Sequence, residues 1–327
     1  MAIGLAASGP SGPPSALTGL TVAGVPTMGM GGSIPITGGN YYFVSSVTGS
    51  AGSPGTSMAY PKAAVFGTGG AYASCTAGNG DVIVVLQGHS ETISSATAAQ
   101  MSTAGVQIVG LGTGSYRPLF TLDTANTATI AVSAANQGFA NCRFDANFLS
   151  IAAAFTLTTA VNFNLTGNTF FDRSGVLDFL NIVKSTGAAN TVDRLTLVGN
   201  VWKGLGTTSV NSFLLTANDI DLLTIIGNTI VNATTVNASS LVTVTAGVLT
   251  NLDCGYNKTY RNNTTSTASL ISVGGTTSTG FVYNNYTQTL DTATNVLFAT
   301  TVGLAAFDNK ITGVKGASGF LIPTADS

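Results

Sequence analysis

The sequence has very few charged residues for its length. Only 7% of its 327 residues are Asp, Glu, Lys or Arg, against roughly 25% in an ordinary soluble domain. Glu91 is the only glutamate and His89 the only histidine. The shortage of Glu, Lys and Arg, which normally cover helix surfaces, excludes a helical bundle. With 11 basic and 13 acidic residues, the chain also lacks the basic patch that nucleic-acid binding requires.

Cysteines and long apolar runs are also scarce. Cys75, Cys142 and Cys254 lie far apart and form no C-x-x-C pair, so we expect buried reduced thiols and no disulfide framework or zinc site. No stretch approaches the roughly 18–20 apolar residues that cross a bilayer. The segment 1–7 carries no basic residue, so we expect no secretory signal. We also expect no other metal site and no cofactor.

Glycine and small residues take the place of the charges. The chain has 40 glycines and is 44% hydrophobic, a content that argues against disorder. Residues 1–38 show no period of 2 or 3.6, so we expect an extended uncharged arm that docks on its own solenoid, a sister subunit or another protein. Further on, 81–86 and 106–110 are apolar runs typical of buried strands. Between them, 95–104 is followed by Gly105 as a C-cap and predicts a short helix.

From residue 140 onward the sequence repeats. An asparagine recurs every 24 to 32 residues, at Asn141, Asn168, Asn200, Asn228, Asn257, Asn285 and Asn309. Each interval holds two or three short strand-like segments, which is typical of one coil of a parallel β-solenoid. Coils stacked at ~4.8 Å place equivalent side chains above one another. We therefore expect an asparagine ladder, about eight or nine coils, and length variation confined to one loop.

The start of the repeating region carries a resemblance. Residues 41–44 and 78–93 (GNGDVIVVLQGHSETI) resemble right-handed parallel β-helix proteins of the pectate-lyase-like superfamily, and the Gly-Asn recurrences resemble its asparagine ladder. The version with 88–93, followed by 106–117, is similar to tailed-bacteriophage virion proteins. The resemblance implies an all-β, right-handed parallel β-helix over 39–310, after the arm 1–38 and before a C-terminal cap or tail, 311–327. The superfamily's Ca²⁺-binding Asp cluster and Gly-His-Gly segment have no counterpart here, so catalysis does not follow from the fold.

Two groups of charged residues are candidates for catalysis. Asp219 and Asp221 alternate on a strand-like segment and could present two carboxyl groups as acid and base for a glycosidic bond. We favour a solvated turn there. Other charges surround two successive turns, namely Asp172, Arg173 and Asp178, and then Asp193 and Arg194. Weak surface ion pairs explain these better than a site does.

The remaining candidates are a histidine–glutamate pair and a set of aromatic residues. His89 and Glu91 could bind a metal or act as a base, but a third ligand is missing nearby, so we favour a local structural hydrogen bond. Five aromatic residues follow similar repeat positions: Trp202, Tyr256, Tyr260, Tyr283 and Tyr286. They fit a sugar platform or an aromatic stack in the core or at a subunit interface, and we favour the latter.

Together these features predict a phage virion structural protein. We expect a capsid decoration or head-fibre protein that forms a homotrimer on the shell, because sparsely charged Thr, Ser and Ala faces pack together without desolvating ions. The arm 1–38 would dock on the major capsid protein or another virion protein, after synthesis in the host bacterial cytoplasm. The alternative is a tailspike enzyme or receptor-binding fibre acting on bacterial surface polysaccharide. Expected partners are thus itself, a virion protein and a surface glycan, but neither nucleic acid nor membrane.

Overall fold

The computed structural model describes residues 21–22, 25–26, 37–206, 212–232, 240–261, 270–273, 277–289, 303–312 and 319–320. Within these residues the chain consists of strands and turns, with two three-residue 3-10 helices, Tyr72–Ser74 and Gly114–Tyr116. Most strands belong to three long sheets whose neighbouring strands are parallel and one coil apart. The prediction of an all-β parallel solenoid is confirmed.

Each long sheet takes one strand from successive coils. The first sheet comprises Tyr41–Val44, Val82–Val85, Gln107–Gly110, Gly138–Ala140, Asn164–Thr166, Thr196–Val198, Thr224–Ile226, Leu252–Gly255, Gly280–Tyr283 and Leu304–Phe307. The second comprises Ser90–Ile93, Leu119–Leu122, Arg143–Ala146, Thr169–Asp172, Val201–Gly204, Thr229–Asn232, Lys258–Arg261, Tyr286–Thr289, Lys310–Thr312 and, antiparallel at its end, Gly319–Phe320. The third comprises Ala99–Met101, Ile130–Val132, Phe155–Leu157, Asn181–Ser185, Ser212–Thr216, Ser240–Val244 and Ile271–Val273.

Two short pairs complete the strands. Ile220–Asp221 pairs in parallel with Leu249–Thr250, and Thr21–Val22 pairs antiparallel with Val25–Pro26. Within the described residues seven coils supply a strand to all three long sheets, and two further coils supply the first and second sheets only. The sequence led us to expect eight or nine coils; seven of them are complete here.

The core is built from columns of like residues. On the second sheet Phe120, Phe144, Phe170 and Trp202 lie in register on successive coils, and all four are fully buried. The rings of Phe144 and Phe170 are stacked, with centroids 5.1 Å apart. Because each coil covers the apolar side chains of its neighbour, no coil buries its core alone. Each buried side chain of this size contributes roughly 1.5–3 kcal/mol.

The turn from the first to the second sheet, here called the ladder turn, has two residues in each coil from 141 onward. The pairs are 141–142, 167–168, 199–200, 227–228, 256–257, 284–285 and 308–309. The first residue has a positive φ, between 50° and 67°. Glycine occupies that position at Gly167, Gly199 and Gly227 because it adopts this conformation without steric cost.

The second residue of the ladder turn is a buried asparagine in six successive coils. Asn168, Asn200, Asn228, Asn257, Asn285 and Asn309 are each at most 1% exposed. In the Asn200 rung, Oδ1 accepts from the backbone N–H of Asn168 (3.0 Å), while Nδ2 donates to the Leu165 carbonyl (2.9 Å) and to Asn228 Oδ1 (3.0 Å). The same bonds recur as far as Asn309. The amides therefore connect one coil to the next.

Asn141, which we expected in this ladder, lies one residue before it. Asn141 has φ 55°, and its Nδ2 donates to the carbonyls of Gly110 (2.8 Å) and Gly112 (3.0 Å). The buried position belongs to Cys142, whose N–H donates to Asn168 Oδ1 (2.9 Å). Asparagine tolerates the left-handed conformation that glycine adopts in later coils. The pattern of asparagines therefore misplaced this rung by one residue.

Two local predictions are wrong. The segment 95–104 forms no helix but contains the strand Ala99–Met101, in which the two end residues are buried and Gln100 is exposed. Burial of alternate side chains here outweighs helix propensity. Length variation is also not confined to one loop. The second-to-third sheet loop has five residues at 94–98 but eight at 147–154, and the third-to-first sheet loop has five at 102–106 but ten at 186–195.

The terminal segments lie almost wholly outside the described residues. Of the expected arm 1–38, the structure describes 21–22, 25–26 and 37–38, and of the expected cap 311–327 it describes 311–312 and 319–320. The proposed boundaries at 38 and 310 therefore stay predictions.

Candidate functional site

The two long ten-stranded sheets differ in the charge they carry. The ten described strands of the first sheet contain no lysine or arginine, whereas those of the second contain five of the chain's 11: Arg143, Lys203, Lys258, Arg261 and Lys310. Side chains alternate along a strand, so Arg143, Lys203, Lys258 and Lys310 point outward. Arg261 is 4% exposed and lies on the inner side of the sheet, as Phe144 and Trp202 do. We call this outer surface of the second sheet the cationic face.

A pocket of about 390 Å³ opens on the cationic face. We call it the cationic pocket; its lining residues are Gly114, Arg117, Arg143, Thr169, Phe171 and Val201. Arg143, Thr169 and Val201 are in register on three successive coils. The pocket therefore depends on the stacking of coils and not on one contiguous segment.

Arg117 reaches across two coils to form one side of the pocket. Its Nη1 donates to the carbonyl of Gly167 (3.1 Å) and to Oγ1 of Thr169 (2.8 Å). Its Nε is buried and has no hydrogen-bond partner among the described residues. The guanidinium is thus held in place by neutral oxygens, which leave its positive charge uncompensated.

A second arginine is fixed by a carboxylate. Asp145 is 1% exposed, and it accepts two hydrogen bonds from Arg143, from Nε to Oδ1 (2.6 Å) and from Nη2 to Oδ2 (2.8 Å). Arg173 Nε lies 3.5 Å from the same Asp145 Oδ2. Two cations share one buried carboxylate, and this bidentate geometry orients Arg143 over the pocket.

Phe171 lies between two positive charges. The Arg143 guanidinium carbon is 5.2 Å from the Phe171 ring centroid, and Lys203 Nζ is 4.9 Å from it. Such cation–π contacts restrain flexible side chains at the surface. Sequence reasoning missed this cluster. Aligning successive coils by their ladder turns would have found it, because Asp145, Phe171 and Lys203 are each the third residue after the turn.

Asp219 and Asp221 hold adjacent coils together. Asp219 Oδ1 accepts from the backbone N–H of Val248 (2.8 Å), and Asp221 Oδ1 accepts from Asn251 Nδ2 (2.9 Å). Both residues are half-buried. Each carboxylate serves as a hydrogen-bond acceptor for the next coil, which suits a turn more than a pair of free carboxyl groups.

The loop after the second sheet buries two other carboxylates. Asp172 is fully buried; its Oδ1 accepts from the Phe179 N–H (3.1 Å) and from Trp202 Nε1 (3.3 Å), and its Oδ2 from the Leu205 N–H (2.9 Å). Burial raises the pKa of Asp172 to about 7 despite these bonds, and the charge of Asp178 adds to the rise. Burial also raises the pKa of Asp178, which Ser150 partly counteracts; neither Asp178 oxygen has a partner of good hydrogen-bond geometry among the described residues. Arg173 points instead toward Asp145.

His89 and Glu91 form a local hydrogen-bond network. His89 Nδ1 accepts from the Ser46 N–H (2.9 Å), so its other nitrogen, 3.1 Å from Glu91 Oε2, is the donor. The Glu91 carboxylate also accepts from the backbone N–H groups of Val65 (2.7 Å) and Phe66 (2.9 Å). Both side chains are thus occupied in tying an early loop to the solenoid.

The five aromatic residues considered together in the sequence lie in three places. Trp202 is in the core. Tyr260 and Tyr286 lie side by side on the cationic face, with centroids 6.1 Å apart. Tyr256 and Tyr283 lie on the outer side of the first sheet, where they join Phe281 and Phe307. We call this last group, Tyr256, Phe281, Tyr283 and Phe307, the aromatic patch.

The aromatic patch is exposed. Tyr256 and Phe281 are each 57% exposed and Phe307 is 45% exposed. The Tyr283 and Phe307 rings are stacked at 5.4 Å. Gly255 makes this arrangement possible, because a Cβ there would lie 2.5 Å from the Tyr283 ring. Desolvation, with the neighbouring Asp253 carboxylate, raises the pKa of Tyr283 to about 12.

The described residues contain no group of three or more His, Cys, Asp or Glu side chains arranged to hold a metal ion. No described helix has the length and hydropathy to cross a bilayer. Cys75, Cys142 and Cys254 are free, and burial raises the pKa of each thiol, to about 12 for Cys75 and Cys254.

The comparisons with known proteins find distant structural likeness and no likeness in sequence. No protein-family model matches the sequence, and no curated protein matches it. The structure is similar to two crystal structures of GH136 lacto-N-biosidase from Eubacterium ramulus, the native protein with a TM-score of 0.41 and the selenomethionine derivative with 0.36. In both cases the identity is 10%, and the match covers 84% of this chain and 68% of that chain. A likeness this weak carries no argument about activity.

Proposed function

We propose that this chain is a structural protein of a tailed-bacteriophage virion, either a capsid decoration protein or a head fibre. It assembles as a homotrimer on the shell, and its arm 1–38 docks on the major capsid protein or another virion protein. The resemblance of residues 88–93, followed by 106–117, to tailed-bacteriophage virion proteins supports a role in a virion. The exposed aromatic patch is the observation on which the proposal of self-association rests.

The aromatic patch has the properties of a protein interface. Its rings are contiguous on three successive coils, and large exposed aromatic groups on a soluble protein mark interaction sites. Tyr and Phe are enriched in interface cores, whereas Lys and Asp are depleted there. In a cyclic trimer each subunit presents the same face to the symmetry axis. The outer surface of the first sheet, with no basic residue on its described strands, is the face that can do so without desolvating a cation.

The tailspike alternative needs a catalytic pair, and the geometry does not favour Asp219 and Asp221 for this role. Their carboxylates accept hydrogen bonds from neighbouring coils. Asp172 has a raised pKa, as a general acid requires, but its oxygens face the core and bind three N–H groups. A structural role therefore accounts better for these carboxyl groups.

Self-association is tested with the double variant Phe281→Ser/Phe307→Ser in the full chain. Sedimentation equilibrium should give a trimer for the wild type and a monomer for the variant, because the variant removes both phenylalanine rings of the patch. Far-UV circular dichroism should be unchanged, since both side chains are exposed. The matched control is Leu149→Ser/Val176→Ser, which alters two exposed apolar residues elsewhere and should stay trimeric. A monomeric wild type, or a trimeric patch variant, contradicts the proposal.

The virion role is tested separately. Antibodies against the chain should label the heads of purified phage particles in immunogold electron microscopy. A protein lacking residues 1–38 should keep the circular dichroism of the solenoid and should no longer cosediment with capsids. If the shortened protein still decorates capsids, docking through the arm is wrong.

A further inference from the structure

We propose that the cationic pocket binds a carboxylate-bearing sugar, a hexuronic or sialic acid unit of a surface glycan. The inference is independent of the proposed trimer, because the pocket and the aromatic patch lie on different sheets. It rests on charge, on the polar and apolar groups that line the pocket, and on its size.

The charge around the pocket is opposite to that of the whole chain. The residues that line the pocket and the side chains bonded to them form a network with four basic residues, Arg117, Arg143, Arg173 and Lys203, and two acidic ones, Asp123 and Asp145. The chain as a whole has a net charge of −2. Both carboxylates already accept hydrogen bonds from side chains of the network. The surplus of positive charge therefore has no internal partner in this part of the chain.

Arg117 is the group best placed to take up a ligand carboxylate. Among the described residues no carboxylate oxygen lies within 4 Å of its guanidinium nitrogens. Its bonds to Gly167 and Thr169 fix the side chain before any ligand arrives. Nη1 is already engaged and Nε is buried, so Nη2 is the guanidinium nitrogen left to donate to a ligand carboxylate. Because the guanidinium is already held in place, little side-chain entropy remains to be lost on binding.

The lining favours a sugar over a simple anion or a flat protein surface. Phe171 and Val201 supply apolar wall, and Thr169 supplies a hydroxyl group beside the arginines. Sugars present both C–H faces and hydroxyl groups, so they match this mixture. A volume of about 390 Å³ falls within the roughly 300–1,000 Å³ typical of small-molecule sites.

The experiment is a titration of the full chain, followed by NMR and by calorimetry. The ligands are sodium glucuronate and N-acetylneuraminate, with glucose and N-acetylglucosamine as neutral counterparts and sodium acetate as a bare carboxylate. Both acidic sugars, or one of them, should bind at least about tenfold more tightly than the neutral sugars and acetate. Equal binding of acetate would show an anion site only and would overturn the sugar assignment.

The variant Val201→Glu places a negative charge in the pocket wall. Val201 is 39% exposed on an outward strand position, so the substitution should not disturb the core. The added charge should weaken acidic-sugar binding about tenfold or more, by repulsion at short range. Gln288→Glu is the matched control, because it adds the same charge to the same sheet in an exposed position four coils away from Phe171. That distance exceeds the screening length of roughly 8–10 Å.

A second variant tests the pocket in case Val201→Glu fails to fold. Lys203→Gln removes one exposed cation beside Phe171 and should weaken binding of the acidic sugars severalfold while leaving thermal unfolding unchanged. Loss of binding in Gln288→Glu to the same degree as in Val201→Glu would show diffuse electrostatic attraction and not a pocket. No binding of either acidic sugar by the wild type would also refute the proposal.

Discussion

The ladder turn and the loop 173–180 are neighbouring connections that bury polar groups in opposite ways. The ladder turn buries a neutral amide in coil after coil, and each amide bonds to the coils on both sides. The loop 173–180 and the strand before it bury two carboxylates, Asp172 and Asp178, which recur in no neighbouring coil at the same position. The buried amide is repeated along the axis of the solenoid, whereas the buried carboxylates occur in one coil.

The difference follows from what each group can donate and accept. An amide carries both donor and acceptor, so a column of amides can pair along its whole length. A carboxylate only accepts, and two stacked carboxylates repel each other, which raises their pKa. Gly204 stands where Asp172 would repeat one coil later, and Trp202 donates to Asp172 from the same strand. Amides can therefore occupy the same buried position in successive coils, whereas a buried carboxylate at a given position is tolerated in one coil only.

The largest effect is expected from breaking the ladder. Asn200→Ala leaves the backbone N–H of Asn168 and the Leu165 carbonyl buried without their partner. Each unpaired buried group costs about 1–3 kcal/mol, so we expect a loss of about 3–5 kcal/mol in urea unfolding. Asn147→Ala is the matched control, because Asn147 also bonds to both adjacent coils but is half exposed. Equal losses for the two variants would show that burial does not distinguish the ladder.

The second effect is a pH dependence of stability, which we expect from the buried carboxylates and not from the neutral amides of the ladder. Asp172 has a pKa of about 7 in the folded protein against 3.8 for a free side chain, so between these values the folded state holds a proton that the unfolded state has lost. Stability therefore falls as the pH rises from about 4 to about 7, by an amount on the order of 4 kcal/mol. Asp172→Asn should remove this part of the slope, and urea unfolding between pH 4 and pH 8 measures it.

Asp81 provides a control of opposite sign. Burial alone would raise the pKa of Asp81, but hydrogen bonds from Thr76, Asn40 and Asn79 outweigh burial and lower it. Its contribution is present above its unfolded pKa of 3.8 and is lost as the pH falls below that value. Asp81→Asn should therefore leave the slope between pH 4 and pH 7 intact. A slope that survives in Asp172→Asn would refute the assignment.

The smallest effect tests the backbone of the ladder turn. Gly199 has φ 65°, and the nearest atom to an added Cβ is 4.0 Å away. Gly199→Ala should therefore cost about 1–2 kcal/mol through conformational strain alone. Gly52→Ala, at an exposed position without positive φ, should be neutral or slightly stabilising. A neutral Gly199→Ala in thermal unfolding would show that the turn relaxes.

Much of the architecture could be predicted because stacked coils require a periodic pattern of residues, which is visible in the sequence. The repeat near 28 residues and the recurring Gly-Asn pairs predicted the solenoid, since equivalent residues of successive coils occupy the same environment. The error at Asn141 has a definite cause, because asparagine suits both positions of the ladder turn. The helix expected over 95–104 was wrong because Ala99 and Met101 are buried on a strand, which local propensity does not reveal.

The candidate site was harder to predict because its parts come from separate coils. Arg117, Arg143, Thr169 and Val201 belong to four strands or strand starts, and no short motif links them. Their association depends on register, which is set when the coils stack. The burial that raises the pKa of Asp172 likewise exists only once the core has formed around it.

The amino-acid pattern alone determined that this chain coils, because a periodic supply of apolar residues and one amide per coil can be buried only by stacking each coil on the next. The tertiary structure decided which side chains meet: the cations on the second sheet, the aromatic rings on the first, and Cys142 in place of Asn141. Contacts between residues about 28 positions apart depend on the length of every loop between them. A shift of one residue would turn each of these side chains to the opposite face.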